Sequence, residues 1–96
     1  MKNRAIEQGY QILKAMGNLR RLQILYALKN QEKKVGDLEH IIGLSQSALS
    51  QHLAVLRKNG LVKTRREAQT IYYSIKSAAV FNILNMLDKF YNQPYE

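Results

Sequence analysis

The chain contains no cysteine and few acidic residues. The first absence excludes cysteine chemistry, and the second leaves the protein positively charged. Without cysteine it cannot form disulfides, thiolate metal ligands, thiol redox sensors or cysteine nucleophiles. Seven Asp and Glu residues stand against fifteen Lys and Arg residues, which leaves a formal net charge of +8. A balance of this sign favours a polyanionic partner such as nucleic acid; a surface charge that only keeps the protein in solution is the alternative.

Long apolar runs and internal breaks are also missing. No stretch approaches the roughly 18 apolar residues of a membrane span, and the first residues lack the apolar core of a secretory leader. We therefore expect a cytoplasmic location and no membrane partner. The single proline is Pro94, and no repeat or Gly/Ser-rich linker divides the sequence. A chain of 96 residues can bury one core, so residues 1–96 are expected to form one domain.

Three helices are predicted in the first half of the chain. Apolar residues at three- and four-residue spacings indicate a helix over residues 4–16. A second helix begins after Asn18, whose side chain can cap it, and ends near Asn30. The polar residues 30–34 indicate a turn, and a third, short helix then ends at Gly43.

A fourth helix is predicted from a capping Ser45 to a terminating Gly60. At about 100° per residue, Leu49, Leu53 and Leu56 fall on one side, which we expect to be buried. The opposite side carries no acidic group and has only short side chains in its middle. The three leucines therefore predict which side of the helix faces outward.

The outward side of the fourth helix favours DNA recognition. Short side chains let the helix approach the floor of the major groove, where Gln can bond base edges and Ser can bond bases or phosphates. An ordinary solvated face, which usually mixes acids with bases, is the alternative. The residues of this helix that we predict to contact DNA are Gln46, Ser47, Ser50, Gln51, Arg57 and Lys58.

Two β-rich segments, residues 61–65 and 71–75, flank a polar tip at residues 66–70. We expect them to pair as a hairpin, so the order of elements predicts a mainly α winged helix-turn-helix with a two-stranded β-hairpin wing. The positive charge of the hairpin can lie along phosphates or the minor groove, or it can only discourage edge-to-edge aggregation. The hairpin residues predicted to contact DNA are Arg65, Arg66, Gln69 and Thr70.

The last helix is predicted from a capping Ser77 to about Tyr91, before Pro94. Its apolar residues spread over roughly 160° of the helical wheel, which is wide for one small core. A second subunit can cover the excess together with the first helix, and a two-fold dimer sets two recognition helices about 34–36 Å apart on one duplex. A deeply packed helix in a monomer is the alternative. The predicted homodimer residues are Ile6, Tyr10, Leu13, Val80, Phe81, Ile83, Leu84, Leu87 and Tyr91.

Neither a catalytic nor a metal site is indicated. The sequence shows no nucleophile with a positioned base, no catalytic pair of acids and no phosphate-cradling glycine loop, so an enzyme is not expected. On the helical wheel, counted from Gln46 as zero, His52 lies at about 240°, beside the leucines. A packed and hydrogen-bonded histidine is favoured at this position. The sequence offers only one other imidazole, that of His40, and no cysteine to complete a metal site with His52. We therefore predict no metal and no cofactor.

Four short segments carry a resemblance to a known family. They are Asn18–Leu25, Leu44–Leu53, Gly60–Val62 and Tyr72–Tyr73. With them the chain resembles the ArsR/SmtB family of bacterial repressors over residues 10–93. Residues 44–56 together with residues 64–70 most resemble its HlyU/BigR branch.

The resemblance implies a dimer built from the first and last helices. It places Gln46, Ser47, Ser50 and Gln51 against an imperfect inverted repeat in a promoter. The function it implies is sequence-specific regulation of transcription on double-stranded DNA, by repression or by displacement of silencing proteins. Occupancy of the DNA is then set by the protein's own concentration, by competing proteins or by an effector that is not identified. The alternative is a winged-helix protein-interaction module with weak affinity for DNA.

The chain departs from the family at its sensing sites. Family metal sites use cysteines on the helix before the turn or Asp and His on the last helix, whereas residues 38–42 contain only Glu39 and His40. Thiol-sensing members of the branch carry a cysteine pair, and the matching positions here are Tyr26 and Asn92. Because neither side chain can form a persulfide or a disulfide, we expect metal and thiol sensing to be missing.

Overall fold

A computed structural model describes residues 2–91, and these residues form five helices and three strands in the order that defines a winged helix-turn-helix. The predicted fold class is confirmed. Asn92 and Pro94 lie outside the described residues. The helices are α1 (Asn3–Met16), α2 (Leu19–Leu28), α3 (Val35–Ile42), α4 (Gln46–Lys58) and α5 (Ala78–Tyr91), and the strands are β1 (Lys33–Lys34), β2 (Val62–Glu67) and β3 (Thr70–Ile75).

The predicted start and stop signals are found at the helix ends. The side chains of Asn18, Ser45 and Ser77 each accept a hydrogen bond from the backbone N–H three residues later, at 3.1, 3.2 and 3.4 Å. Gly43 and Gly60 take left-handed φ angles of 80° and 79°. A side chain at either glycine would strain the backbone, so these two positions fix where α3 and α4 end.

The sheet has one strand more than the hairpin that the sequence predicts. Its order is β1-β3-β2, with both pairs antiparallel. The extra strand β1 has two residues, Lys33 and Lys34, within the segment that we expected to be only a turn. A strand of two residues is too short to show an alternation of polar and apolar residues, and its partners in β3 lie about 40 positions away in the sequence. The sequence pattern therefore could not indicate β1.

The tip of the hairpin is shorter than predicted. Pairing of β2 with β3 continues as far as Glu67 and Thr70, which leaves Ala68 and Gln69 as the two-residue loop. Ala68 takes a left-handed φ of 55°. Arg66 and Thr70, which we placed in the tip, therefore belong to the strands.

The core is built mainly from leucine, isoleucine and valine side chains of α2 to α5 and of the hairpin, and Ala15 and Met16 at the end of α1 join it. Burial of one such side chain stabilises the fold by about 1.5–3 kcal/mol. Leu49, Leu53 and Leu56 are 0–1% exposed, as the helical wheel predicts, and they fix the rotation of α4 against the core. The fully buried large side chains are Ile24, Leu25, Leu28, Leu38, Leu49, Leu53, Leu56, Leu61, Val62, Val80 and Leu84.

Two of the predicted dimer residues on α5 lie inside the chain's own core. Val80 and Leu84 are both 0% exposed. A side chain without exposed surface has nothing left to bury against a second subunit, so the interface prediction is wrong for these two residues. The wide apolar arc of α5 combines an inner side with an outer side, and the wheel does not separate them.

Polar contacts also hold α5 against α2. Lys29 forms an ion pair with Asp88. The Tyr26 hydroxyl donates a hydrogen bond to the Leu84 carbonyl oxygen at 3.5 Å. Burial raises the pKa of the Tyr26 hydroxyl, and the negative charge of Asp88 raises it further. Tyr26 is thus a half-buried residue that packs between α2 and α5.

Candidate nucleic-acid interface

One side of α4 is fully available to a ligand. Ser45 caps the helix and the three core leucines turn their side inward, so the opposite side faces outward. Residues 46–58 include no acid and carry two cations. We call this side the α4 surface; its exposed residues are Gln46, Ser47, Ser50, Gln51, Ala54, Arg57 and Lys58.

The α4 surface divides along the helix. Gln46, Ser47, Ser50 and Gln51 lie in its first two turns and form a group of amides and hydroxyls. At 1.5 Å per residue, Lys58 lies about 18 Å along the axis from Gln46 and about 10 Å from Gln51. There it lines a cavity of about 510 Å³ together with residues of α1 and α2. The structure thus brings the predicted base-reading residues together and sets Lys58 apart from them.

His52 lies on the inner side of α4, away from the α4 surface. It is half-buried, and its Nδ1 atom is 3.5 Å from Nη1 of Arg21. Arg21 Nε donates a hydrogen bond of 2.6 Å to the Ala15 carbonyl oxygen at the end of α1. Arg21 therefore links the end of α1, the start of α2 and the middle of α4. Within residues 2–91, no group of three or more His, Asp and Glu residues is placed to hold a metal ion.

The Arg21 link gives a prediction for stability. Arg21→Ala removes the donor from the Ala15 carbonyl oxygen and from His52, and hydrogen bonds to charged groups contribute about 1.5–3 kcal/mol each. We expect a loss of about 1–2 kcal/mol in the free energy of unfolding, measured by urea denaturation, because part of this contact is open to water. The matched control is Arg20→Ala, since Arg20 is exposed and within residues 2–91 its side chain bonds only to Gln23. Equal midpoints for the two variants would contradict the assigned role.

The hairpin carries a guanidinium that is already bound. Arg65 Nε and Nη2 donate to the two carboxylate oxygens of Glu32 at 3.1 and 2.5 Å, and Nη1 donates to Glu67 at 2.7 Å. The guanidinium also lies 4.5 Å from the ring centre of Tyr72. The hydrogen bonds from Arg65 lower the pKa of the Glu32 carboxyl, and the two carboxylates raise the pKa of Arg65. As pH falls through the lowered pKa of Glu32, that carboxylate takes up a proton and the ion pair is lost.

The other hairpin residues predicted to bind DNA differ in their surroundings. Arg66 is exposed and its Nε donates to the Ala68 carbonyl oxygen at 3.1 Å. Gln69 is exposed in the loop, and Thr70 is half-buried opposite Glu67. Of the hairpin residues predicted to bind DNA, Arg66 and Gln69 are therefore the two that are exposed and make no bond to a carboxylate within residues 2–91.

Sequence reasoning missed the partners of Arg65. Glu32 is 33 positions away in the sequence and precedes a strand too short to recognise. Glu67 is two positions away, which in a strand places it on the same face as Arg65. That spacing is the one sequence signal that could have indicated an ion pair within the hairpin.

Apolar side chains are exposed on α1 and at the end of α5. Ile6, Tyr10 and Leu13, all predicted dimer residues, are 53%, 56% and 59% exposed. Tyr91, also predicted, is 78% exposed, while Phe81, Ile83 and Leu87 are half-buried. The prediction left out Met86 and Phe90, which are 51% and 66% exposed. None of the helices within residues 2–91 is long and apolar enough to cross a membrane.

Comparisons with known proteins match this fold over most of the chain. The family model described as "Bacterial regulatory protein, arsR family" matches residues 18–64. The chain is 54% identical over 82 residues to the transcriptional activator HlyU of Vibrio cholerae serotype O1, which covers 85% of this chain and 76% of HlyU. It is 58% identical over 79 residues to the nodulation protein NolR of Rhizobium meliloti, covering 82% of this chain and 65% of NolR. The solved structure of HlyU from Vibrio cholerae N16961 is similar with a TM-score of 0.90 at 48% identity, and the match covers 97% of this chain and 100% of that one.

Proposed function

We propose that this chain, which belongs to the arsR family of bacterial regulatory proteins, acts as a homodimer on an inverted repeat in a promoter. As a family member near the HlyU branch it is a DNA-binding transcription regulator, and its relatives are regulators, not enzymes. The observation that carries the proposal is the α4 surface, on which exposed amides and hydroxyls lie in the first two turns without a carboxylate.

The α4 surface enters the major groove in this proposal. An amide of Gln46 or Gln51 can make two hydrogen bonds to an adenine, and the small Ser47 and Ser50 keep the helix close to the base edges. Arg57 is exposed further along α4 and contacts phosphate oxygens, which position the protein without reading sequence.

The hairpin and a second subunit complete the interface. Arg66, Gln69 and Thr70 of the hairpin lie along the duplex beside the groove that α4 occupies. Dimer formation through the exposed side chains of α1 and α5 sets the second α4 about 34–36 Å away, one helical turn along the duplex. Two equivalent α4 surfaces then read the two halves of an inverted repeat, because a two-fold dimer and a palindromic site share the same symmetry.

DNA binding is tested with a duplex enriched from a random-sequence pool by the wild-type protein. Binding to this duplex and to a scrambled duplex is measured over a salt series for wild type, Gln46→Ala and Gln51→Ala. We expect a steep loss of affinity with salt and a loss of about 1–3 kcal/mol in sequence preference for each bidentate base contact removed.

The control for this series is Gln23→Ala, which removes an exposed amide from α2. It should keep the sequence preference of the wild type. A binding constant that hardly changes with salt, or equal affinity for enriched and scrambled duplexes, would favour the protein-interaction module over DNA regulation.

A further inference from the structure

Four side chains form a cluster that we call the wing latch: Arg65, Glu32, Glu67 and Tyr72. The guanidinium of Arg65 uses all three of its nitrogen atoms on the two carboxylates, at 2.5 to 3.1 Å. One of the carboxylates, that of Glu32, is bound through both oxygens, which is the strongest geometry for such a pair. The ring of Tyr72 is 4.5 Å from the guanidinium carbon, within the range of a cation–π contact.

The wing latch spans all three strands of the sheet. Arg65 lies on β2, Tyr72 pairs with it from β3, and Glu32 immediately precedes β1. Neighbouring strands are about 4.8 Å apart, so a β2 side chain must cross the central strand to reach the β1 edge. Arg65 does this over the ring of Tyr72, a residue whose backbone also pairs with that of Lys34 in β1. Backbone pairing of β1 with β3 involves two residue pairs, so the side-chain bridge adds a further connection between the hairpin and the segment that carries β1.

The charges of the wing latch do not suit direct phosphate binding. One guanidinium is shared by two carboxylates, so the cluster carries a net charge of −1 when all three groups are ionised. A phosphate that approached Arg65 would meet both carboxylates and would have to replace hydrogen bonds that are already made. Lys63 lies on the same face of β2, is exposed, and has no ion pair among residues 2–91. A cation suited to phosphate is therefore available beside the latch.

We propose that Arg65 is a positioning residue and that the wing latch stays closed on DNA, holding the hairpin at the angle that sets its other residues against the duplex. This inference rests on the proposed function and changes the role of Arg65 from a DNA contact to a support. Glu32 then supports DNA affinity through Arg65, although its own negative charge is repelled by DNA.

The test measures binding of the enriched duplex, at several salt concentrations, by Arg65→Gln, Glu32→Gln and the double variant. We expect each single variant to lose affinity about two- to fivefold, the range of an exposed ion pair, with the salt slope of the wild type. The double variant should bind no more weakly than either single variant, because all three lack the same bridge. Glu7→Gln, which removes an exposed carboxylate of α1, is the control for net charge.

Two results would overturn the latch. If Arg65→Gln lowers the salt slope by about one and Glu32→Gln tightens binding, Arg65 contacts a phosphate and Glu32 competes with it. If all variants bind like wild type, the hairpin needs no support from this cluster. In either case the wild-type protein still binds with steep salt dependence, whereas failure of the proposed function would remove that dependence from the wild type itself.

A second measurement follows Arg65 directly by NMR. The Nε–Hε signal of Arg65, assigned by its loss in Arg65→Lys, should shift in Glu32→Gln and keep its wild-type position when the enriched duplex is added to the wild-type protein. A large shift of this signal on addition of DNA would mean that the guanidinium leaves Glu32 for the duplex. Thermal unfolding followed by circular dichroism checks that each variant is folded.

Discussion

Ser50→Glu should lower affinity for the enriched duplex by at least about 100-fold, or roughly 3 kcal/mol, because it places a carboxylate against the phosphates and base acceptors of the groove. Ser50 lies in the middle of the α4 surface and is exposed, so the larger side chain meets no protein atom in the core. Glu also has a better helix propensity than Ser, so α4 should keep its fold. Fluorescence anisotropy with a labelled duplex measures the change.

The matched control for this variant is Gln23→Glu. It changes the net charge by the same amount at an exposed position of α2, outside the α4 surface. Any loss of DNA affinity in this variant reports only the long-range effect of one added negative charge. Salt screens that effect over about 10 Å. Similar losses in Ser50→Glu and Gln23→Glu would mean that α4 does not touch the duplex, and the central proposal would then be wrong.

If the chain forms the proposed dimer, Leu13→Asp should convert it to monomers and lower affinity for the enriched duplex by about 10²- to 10⁴-fold. The reason is that two linked binding surfaces gain this factor from acting together, and a monomer has one. Leu13 is 59% exposed in the single chain, and Ile6 and Tyr10 lie on the same side of α1. A charge placed in the middle of the proposed apolar contact would be buried without a partner, and the cost of that burial opposes association. Sedimentation equilibrium measures the mass, and anisotropy measures the affinity.

Gln11→Asp is the control on the same helix. Gln11 is exposed and lies about 160° from Leu13 around α1, so it adds the same charge to a different side. It should remain a dimer with wild-type affinity. The idea of a dimer through α1 would be abandoned if Leu13→Asp sediments as the wild type does, or if the wild type is itself a monomer at the concentrations that bind DNA.

The helix boundaries and the orientation of α4 could be predicted because local chemistry determines them. Asn18 and Ser45 cap a helix through bonds to residues three positions away, and Gly43 and Gly60 end one because a left-handed φ favours glycine. The inward side of α4 followed from leucines at helical spacing, which leaves the opposite side outward whatever packs against them. The α4 surface was therefore available from the sequence, down to its individual residues.

The surroundings of the hairpin could not be predicted in the same way. Arg65 looked like a free cation in the sequence, yet its guanidinium is bound by Glu32 from 33 positions away. That contact depends on β1, whose two residues carry no periodic signal. The division of α5 was hidden for a related reason, since apolar residues such as Val80 and Tyr91 look alike on a wheel and differ only in what packs against them.

Local sequence signals were enough to predict the order of the five helices and the hairpin, the helix ends and the outward, acid-free side of α4, because these follow from interactions within a few residues. Only the tertiary structure decided that Arg65 is shared between two carboxylates, that Val80 and Leu84 are core residues, and that Phe90 is exposed. These features depend on which distant segments meet in space, and the free energy of such contacts comes from burial and geometry that a local pattern does not encode.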